Sequence, residues 1–167
     1  MIQVYTGNGK GKTTAALGLA LRASGAGLKV YIAQFIKGGY SSELKSLKKI
    51  TNITVERFGR AGFIRKGPQK KDITLARQGL EKIKRILDQR LYDLIILDEV
   101  NVAVELKLLA LGDILCLIRN TPRQVELILT GRDAHPEILK EADLVSQVRQ
   151  IRHYFKKGMK ARKGIEF

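Results

Sequence analysis

The chain has 167 residues, 44% of them hydrophobic and 28% charged, and 31 Lys and Arg against 16 Asp and Glu give a formal net charge of +15. That size and balance describe one globular domain with one core, and no apolar run approaches the ~20 residues that would span a bilayer. A single cysteine, Cys116, excludes an internal disulfide and a multi-cysteine zinc site.

The positive charge attracts polyanions: nucleic acid, anionic lipid or phosphorylated small molecules. A solvated basic surface is the plainer alternative. The basic residues are spread widely, with one denser tract from Arg149 to Lys163 and no aromatic stripe of the kind that stacks bases. No secretory signal is expected at the N-terminus, and the cytoplasm is the expected location.

The chain opens on an apolar strand, Ile2–Tyr5, which runs into Thr6-Gly7-Asn8-Gly9-Lys10-Gly11-Lys12-Thr13-Thr14. A helix is predicted from about Thr13 to Ser24, ended by Gly25 and Gly27. Strand, glycine loop and helix in that order make a phosphate-binding P-loop. The glycines let successive N–H groups turn inward, and the helix start adds unpaired N–H groups and positive dipole. Lys12 brings a charge for the outer phosphates, and Thr13 brings a hydroxyl for Mg²⁺. The match to G-x-x-x-x-G-K-S/T is incomplete, because Thr6 stands where the first glycine would fall. A glycine-rich turn that binds nothing would not explain Gly11-Lys12-Thr13 between those flanks.

Further along, Lys29–Gln34 reads as a strand, Ser41–Lys49 as a short helix and Ile53–Arg57 as a third strand. Phe58 to Lys71 is a basic, Gly-rich loop, long enough to suggest a function. Ile73, Ala76, Leu80, Ile83 and Leu87 recur at helical spacing behind Asp72, the expected N-cap. Leu91–Leu97 reads as a continuous apolar run, the mark of a buried parallel strand, and Val125–Thr130 as another buried strand. Val100–Leu109 and Leu111–Arg119 read as helices, with Cys116 as a buried small apolar residue. Pro136–Glu141 is a short helix, and Leu144–Ile151 an edge strand.

This alternation implies an α/β doubly wound, mostly parallel sheet of the P-loop NTPase-like (RecA-like) class, in a single domain over 1–167. Ligands bind such sheets at the C-terminal strand ends. The phosphate loop, Gln34–Lys37, Asp98-Glu99 and Thr130-Gly131-Arg132 are therefore expected around one crevice. Asp98 and Glu99 follow an apolar strand, where a carboxylate can hold Mg²⁺ directly or through water; the competing role for Asp98 is a helix cap. Arg132 can reach a phosphate or a partner subunit. His135 is expected at a helix start and His153 in an exposed basic tail, and neither has a Ser or Cys arrangement for nucleophilic catalysis. Residue types alone leave phosphoryl transfer, hydrolysis and adenosyl transfer open.

Tyr5-Thr6-Gly7-Asn8-Gly9-Lys10-Gly11-Lys12-Thr13-Thr14-Ala15-Ala16, Gln34-Phe35-Ile36-Lys37-Gly38 and Leu97-Asp98-Glu99 resemble the ATP:corrinoid adenosyltransferases of the CobA/CobO/BtuR type. So does the C-terminal third: Leu129-Thr130-Gly131-Arg132, Ala142-Asp143-Leu144-Val145, His153, Gly158, Ala161 and Gly164-Ile165-Glu166-Phe167. The resemblance covers essentially the whole chain. It implies that cob(I)alamin attacks the 5′ carbon of ATP and that triphosphate leaves, with the nucleotide reversed in the loop relative to other P-loop enzymes. Gly7, Asn8, Gly9, Lys10, Gly11, Lys12, Thr13 and Thr14 then cradle the triphosphate, with Arg22 and Arg132 near the nucleotide. Thr13 and Glu99, and less directly Asp98, carry over as ligands of Mg²⁺ (or Mn²⁺). Lys12 and Phe63 carry over as catalytic residues, Phe63 by helping displace the lower axial ligand of the corrinoid.

The resemblance also implies a homodimer, a flavoprotein reductant, no membrane and no nucleic-acid partner. Two departures stand out. Arg65 occupies the place of a family Trp, and the N-terminal extension that covers the partner's site in better-known members is expected to be missing. Two other readings remain: a P-loop nucleoside kinase, disfavoured by the lone Cys116 because that family usually has a Cys-based zinc lobe, and a RecA-like ATP-gated nucleic-acid-binding module, motivated by the charge.

Overall fold

The computed structural model describes residues 1–39, 41–60 and 67–166. Six strands form one sheet in the order β3-β2-β4-β5-β1-β6: β1 Ile2–Thr6, β2 Val30–Phe35, β3 Ile53–Phe58, β4 Leu94–Asp98, β5 Glu126–Thr130 and β6 Leu144–Gln147. Every pairing is parallel, so the strand ends that carry Thr6, Phe35, Asp98 and Thr130 share one edge.

Side-chain alternation splits the core between the two faces of the sheet. Val30, Ile32, Leu94, Ile96 and Ile128 meet α1 (Lys12–Gly25) and α2 (Glu43–Leu47) through Ala16, Ala20, Ala23 and Leu47. Tyr31, Ala33, Phe35, Ile95, Leu97, Leu127 and Leu129 point the other way, into a larger cluster. That cluster is covered by α3 (Lys70–Asp88), α4 (Val100–Glu105), α5 (Leu111–Arg119) and α6 (Pro136–Lys140). The alanines on α1 let that helix sit close to the strand ends it serves. Among the described residues, no helix is long and apolar enough to cross a membrane.

Several sequence expectations need correction, among them the edge strand expected over Leu144–Ile151, which ends at Gln147 where the chain turns to meet the phosphate loop. The strand expected over Leu91–Leu97 begins only at Leu94: Arg90 turns at a φ of 52°, Leu91 is exposed, and Asp93 instead accepts from the Lys29 N–H at 2.8 Å. The helix after Glu99 stops at Glu105, because Lys107 adopts a φ of 57°. Cys116 is exposed, not buried. It lies two residues from Ile114, about 200° round a helix whose buried face is Ile114, Leu117 and Ile118.

Asp72 is not the N-cap of α3 either. Gln69 is, and Asp72 reaches back from the first turn to accept the Gln69 N–H at 2.9 Å. Its other partner is the Arg60 guanidinium, in a fork of 2.6 and 2.8 Å across the loop. Asp72 is buried, and that fork holds its carboxyl below the usual aspartate range. We expect Asp72→Ala to lower unfolding free energy by about 2–4 kcal/mol, read by urea denaturation. The sign follows from the depressed value: the contribution is complete above the unfolded-state range and is lost as pH falls through the folded-state value.

Candidate functional site

The cleft begins where β1 ends. The Thr6 carbonyl accepts from Val148 N–H at 2.8 Å, and Gly9 N–H donates to the Val148 carbonyl at 2.8 Å, so the phosphate loop is laced to the segment after β6. Gly7 must be glycine: its φ is 95°, and a Cβ there would sit 2.5 Å from the Val148 carbonyl oxygen. Gly11, at a φ of 119°, is the N-cap of α1, and Gly11 to Thr14 line the cleft, so the helix start with its unpaired N–H groups lies at the cleft.

Lys12 folds back over its own loop, donating to the Gly7 carbonyl at 2.7 Å and the Gly9 carbonyl at 2.8 Å. It is only 8% exposed, and burial holds its ammonium below the usual lysine range, with Glu99 pulling the other way. Two of its three protons curve the loop, which leaves the third for a ligand.

Asp98, at the end of β4, is the hub of the floor and is 1% exposed. One carboxylate oxygen accepts from the hydroxyls of Thr13 at 2.8 Å and Thr130 at 2.7 Å. The other accepts from Lys37 Nζ at 2.9 Å and Gln34 Nε2 at 3.3 Å. Parallel pairing sets Gln34 of β2 beside Asp98, so this convergence comes from the sheet register. Glu99 turns out of the strand at a φ of 61° and begins α4, its N–H donating to Thr130 Oγ1 at 3.0 Å. Burial pushes the Glu99 carboxyl up, and the Lys37 ammonium, 3.7 Å from it, pulls it down.

Around this floor lies a cleft of about 840 Å³, within the range of small-molecule and cofactor sites. Thr14, Leu17, Gly18 and Leu21 on one face of α1 extend it toward Ser46 of α2.

The family described as ATP:corrinoid adenosyltransferase BtuR/CobO/CobP matches residues 1–167, the whole chain. The chain belongs to this family. The corrinoid adenosyltransferase of Escherichia coli K12 is 36% identical over 167 residues, spanning all of this chain and 85% of that protein. The corrinoid adenosyltransferase CobA of Salmonella typhimurium LT2 is 36% identical over the same shares. The corrinoid adenosyltransferase of Pseudomonas aeruginosa is 32% identical over all of this chain and 83% of its own. A KaiC-like protein from Pyrococcus horikoshii OT3 shares the fold at a TM-score of 0.60 and 17% identity, covering 91% of this chain and 74% of that one.

Of the site residues expected from this adenosyltransferase's sequence, Asn8 to Thr14, Glu99 and Arg132 line the cleft. Gly7 lies behind the lining as a partner of Lys12, and Asp98 lies under it. Arg22 is exposed, one turn beyond Gly18 on the same helix, and does not line the cleft. Phe63 and Arg65 fall outside the described residues. His135 caps α6, as expected of a helix start, by accepting from Glu137 N–H. His153 is half-buried at the cleft wall rather than simply exposed.

From the sequence, Lys37, Gln34 and Thr130 have no assigned role, nor do Tyr154, Arg162 and Glu166, which gather with Lys10 at the rim. Lys37, Gln34 and Thr130 complete the floor. At the rim, Lys10 Nζ donates to Tyr154 Oη at 2.8 Å, Glu166 Oε1 at 2.8 Å and the Ile165 carbonyl at 3.2 Å. Tyr154 donates to the same Glu166 carboxylate, and Arg162 N–H reaches its second oxygen at 2.6 Å. Lys10, Tyr154 and Arg162, in that order, hold the Glu166 carboxyl far below the usual glutamate range. The C-terminal sequence shared with the family is therefore a strap fastened to the phosphate loop.

Proposed function

We propose that the chain transfers the 5′-deoxyadenosyl group of ATP to the cobalt of a reduced corrinoid, cob(I)alamin, releasing triphosphate. The observation that carries this is the family match over the full length of the chain. The geometry agrees with its demands. A Co(I) nucleophile brings its own electron pair and no proton, so no general base is required. The Co–C5′ bond forms as the C5′–O bond breaks, and the electron pair of that bond leaves on the triphosphate. The N–H groups at the start of α1 and the remaining proton of Lys12 lie at the cleft and would face the charge as it grows on a triphosphate bound there, which is the chief electrostatic task of such a site. The cleft walls orient the two reactants.

Mg²⁺ (or Mn²⁺) fits the floor. Thr13 Oγ1 and the Glu99 carboxylate are hard oxygen donors, and among the described residues no larger group of His, Cys, Asp and Glu competes for a softer metal. The Lys37 ammonium already rests on these oxygens, a sign that they suit a cation. Asp98 is saturated by four internal donors, so its task is to orient Thr13 and Lys37. Bound there, the metal would offset negative charge on the triphosphate.

The rest of the reading is one catalytic domain working as a homodimer in the cytoplasm, with a flavoprotein supplying reduced corrinoid and no nucleic-acid partner. Phe63 is its candidate for contact with the corrinoid. The test is an anaerobic absorbance time course with cob(I)alamin, ATP and Mg²⁺, with the released phosphates analysed. Light-sensitive adenosylcobalamin and intact triphosphate are expected. ADP and orthophosphate without a new Co–C bond would replace this reading with ordinary γ-phosphate chemistry.

A further inference from the structure

Lys37 is held in place more tightly than a cleft-wall lysine needs to be. It follows β2 through Ile36, whose φ of 66° is unusual for a β-branched residue, and its own N–H closes back on the Phe35 carbonyl at 2.6 Å. The turn is braced from behind. Gly59 packs so closely that a Cβ on it would lie 2.4 Å from the Ile36 carbonyl carbon. Strained turns of this kind persist where the surrounding structure fixes them, commonly at functional sites.

The turn delivers Lys37 Nζ to Asp98 at 2.9 Å, Thr13 Oγ1 at 3.2 Å and Glu99 at 3.7 Å. Thr13 spends its proton on Asp98, so the bond from Lys37 takes a lone pair on Thr13. A divalent ion bound by Thr13 and Glu99 would rest on the same oxygens as the ammonium. Although the hydroxyl keeps a second lone pair, two cations seated on those oxygens repel at contact distance, so the ammonium and the metal exclude one another. Triphosphate would give the displaced ammonium another anion to bind.

We propose that Lys37 is a tethered cation that fills the divalent-metal seat while the nucleotide is absent, so that metal enters only together with ATP. The inference rests on the metal assignment of Thr13 and Glu99 made above. Lys37 is then a positioning residue: it keeps Thr13, Asp98 and Glu99 together without a metal and moves aside when Mg·ATP arrives.

The test is Mn²⁺ binding without nucleotide, followed by the EPR signal of free Mn²⁺, in the wild type, Lys37→Met, Lys37→Gln and Lys84→Met. Lys37→Met is expected to bind Mn²⁺ at least about tenfold more tightly than the wild type, since a unit charge is removed at contact distance. Lys84→Met, which removes a charge paired with Glu81 on α3 and outside the cleft lining, is expected to change it by no more than about twofold. Lys37→Gln serves if Lys37→Met does not fold, with the same direction expected. No tightening in the Lys37 variants, or equal tightening in Lys84→Met, would overturn the proposal. Repeating the titration with ATP separates the two assignments. Normal Mn·ATP binding by the wild type, with no gain in the Lys37 variants, removes the role of Lys37 alone. Failure of the wild type to bind Mn²⁺ even with ATP removes the metal seat, and this inference with it.

Discussion

Lys12→Ala is expected to abolish ATP binding and adenosyl transfer together, with transfer falling by at least about 10²–10³-fold. Two losses add. The first is a charge for the phosphates. The second is the curvature of the loop, because the Lys12 ammonium bridges the Gly7 and Gly9 carbonyls and so keeps the intervening N–H groups turned inward. The folded state itself should tolerate the change. Burial already disfavours the Lys12 ammonium, so at neutral pH its charge opposes folding, and that opposition fades only as pH rises toward the lysine range. Calorimetry with Mg·ATP and the anaerobic transfer assay read the loss, and a thermal melt without nucleotide should show no drop. ATP binding at wild-type strength would mean that Lys12 is neither a phosphate ligand nor a brace that the loop needs for binding.

What could be read from the sequence follows the range of the interactions. The phosphate loop was legible because its logic is local: strand, glycines, lysine, helix start, all within residues 2–25. The buried strands were legible because β2, β4 and β5 are covered on both faces and carry the apolar runs Val30–Ala33, Leu94–Leu97 and Leu127–Leu129. The start of β4 was misplaced because Leu91 and Tyr92 extend the apolar stretch across Asp93, while Arg90 and Asp93 set the turn. Leu111–Ile118 is apolar on nearly every side, so no period showed which face of α5 was buried, and Cys116 was assigned inward. Asp72 looked like a cap because it precedes the periodic residues, whereas its partner Arg60 sits across the loop.

The functional floor was legible only as a neighbourhood. Sheet topology predicts that Gln34–Lys37, Asp98-Glu99 and Thr130–Arg132 meet at one edge, and they do. It does not predict that Lys37 will lie on Asp98, because that depends on the φ of Ile36 and the absence of a side chain at Gly59. Nor does a local pattern reveal that Lys10 meets Glu166, 156 residues away. A shared C-terminal sequence marked the place, and only coordinates assign the bonds.

Asp98 offers the other large effect, and two substitutions there separate folding from chemistry. Asp98→Ala leaves the Lys37 ammonium without its buried counter-charge and orphans donors on Thr13, Thr130 and Gln34. Breaking a buried pair from one side in this way is expected to cost about 3–5 kcal/mol in urea denaturation. Asp98→Asn should cost less, for a geometric reason. Lys37 and Gln34 can only donate from their nitrogens, so the asparagine carbonyl must face them and its NH₂ must face Thr13 and Thr130. Those hydroxyls can rotate to accept. Thr13 then gives one lone pair to the amide, and its proton, no longer held by Asp98, competes with a metal for the remaining directions on the oxygen. Asp98→Asn should therefore melt near the wild type yet bind Mn·ATP at least about tenfold more weakly, while Asp98→Ala loses both. If Asp98→Asn keeps wild-type Mn·ATP binding, the orientation of the Thr13 hydroxyl by Asp98 plays no part in holding the metal.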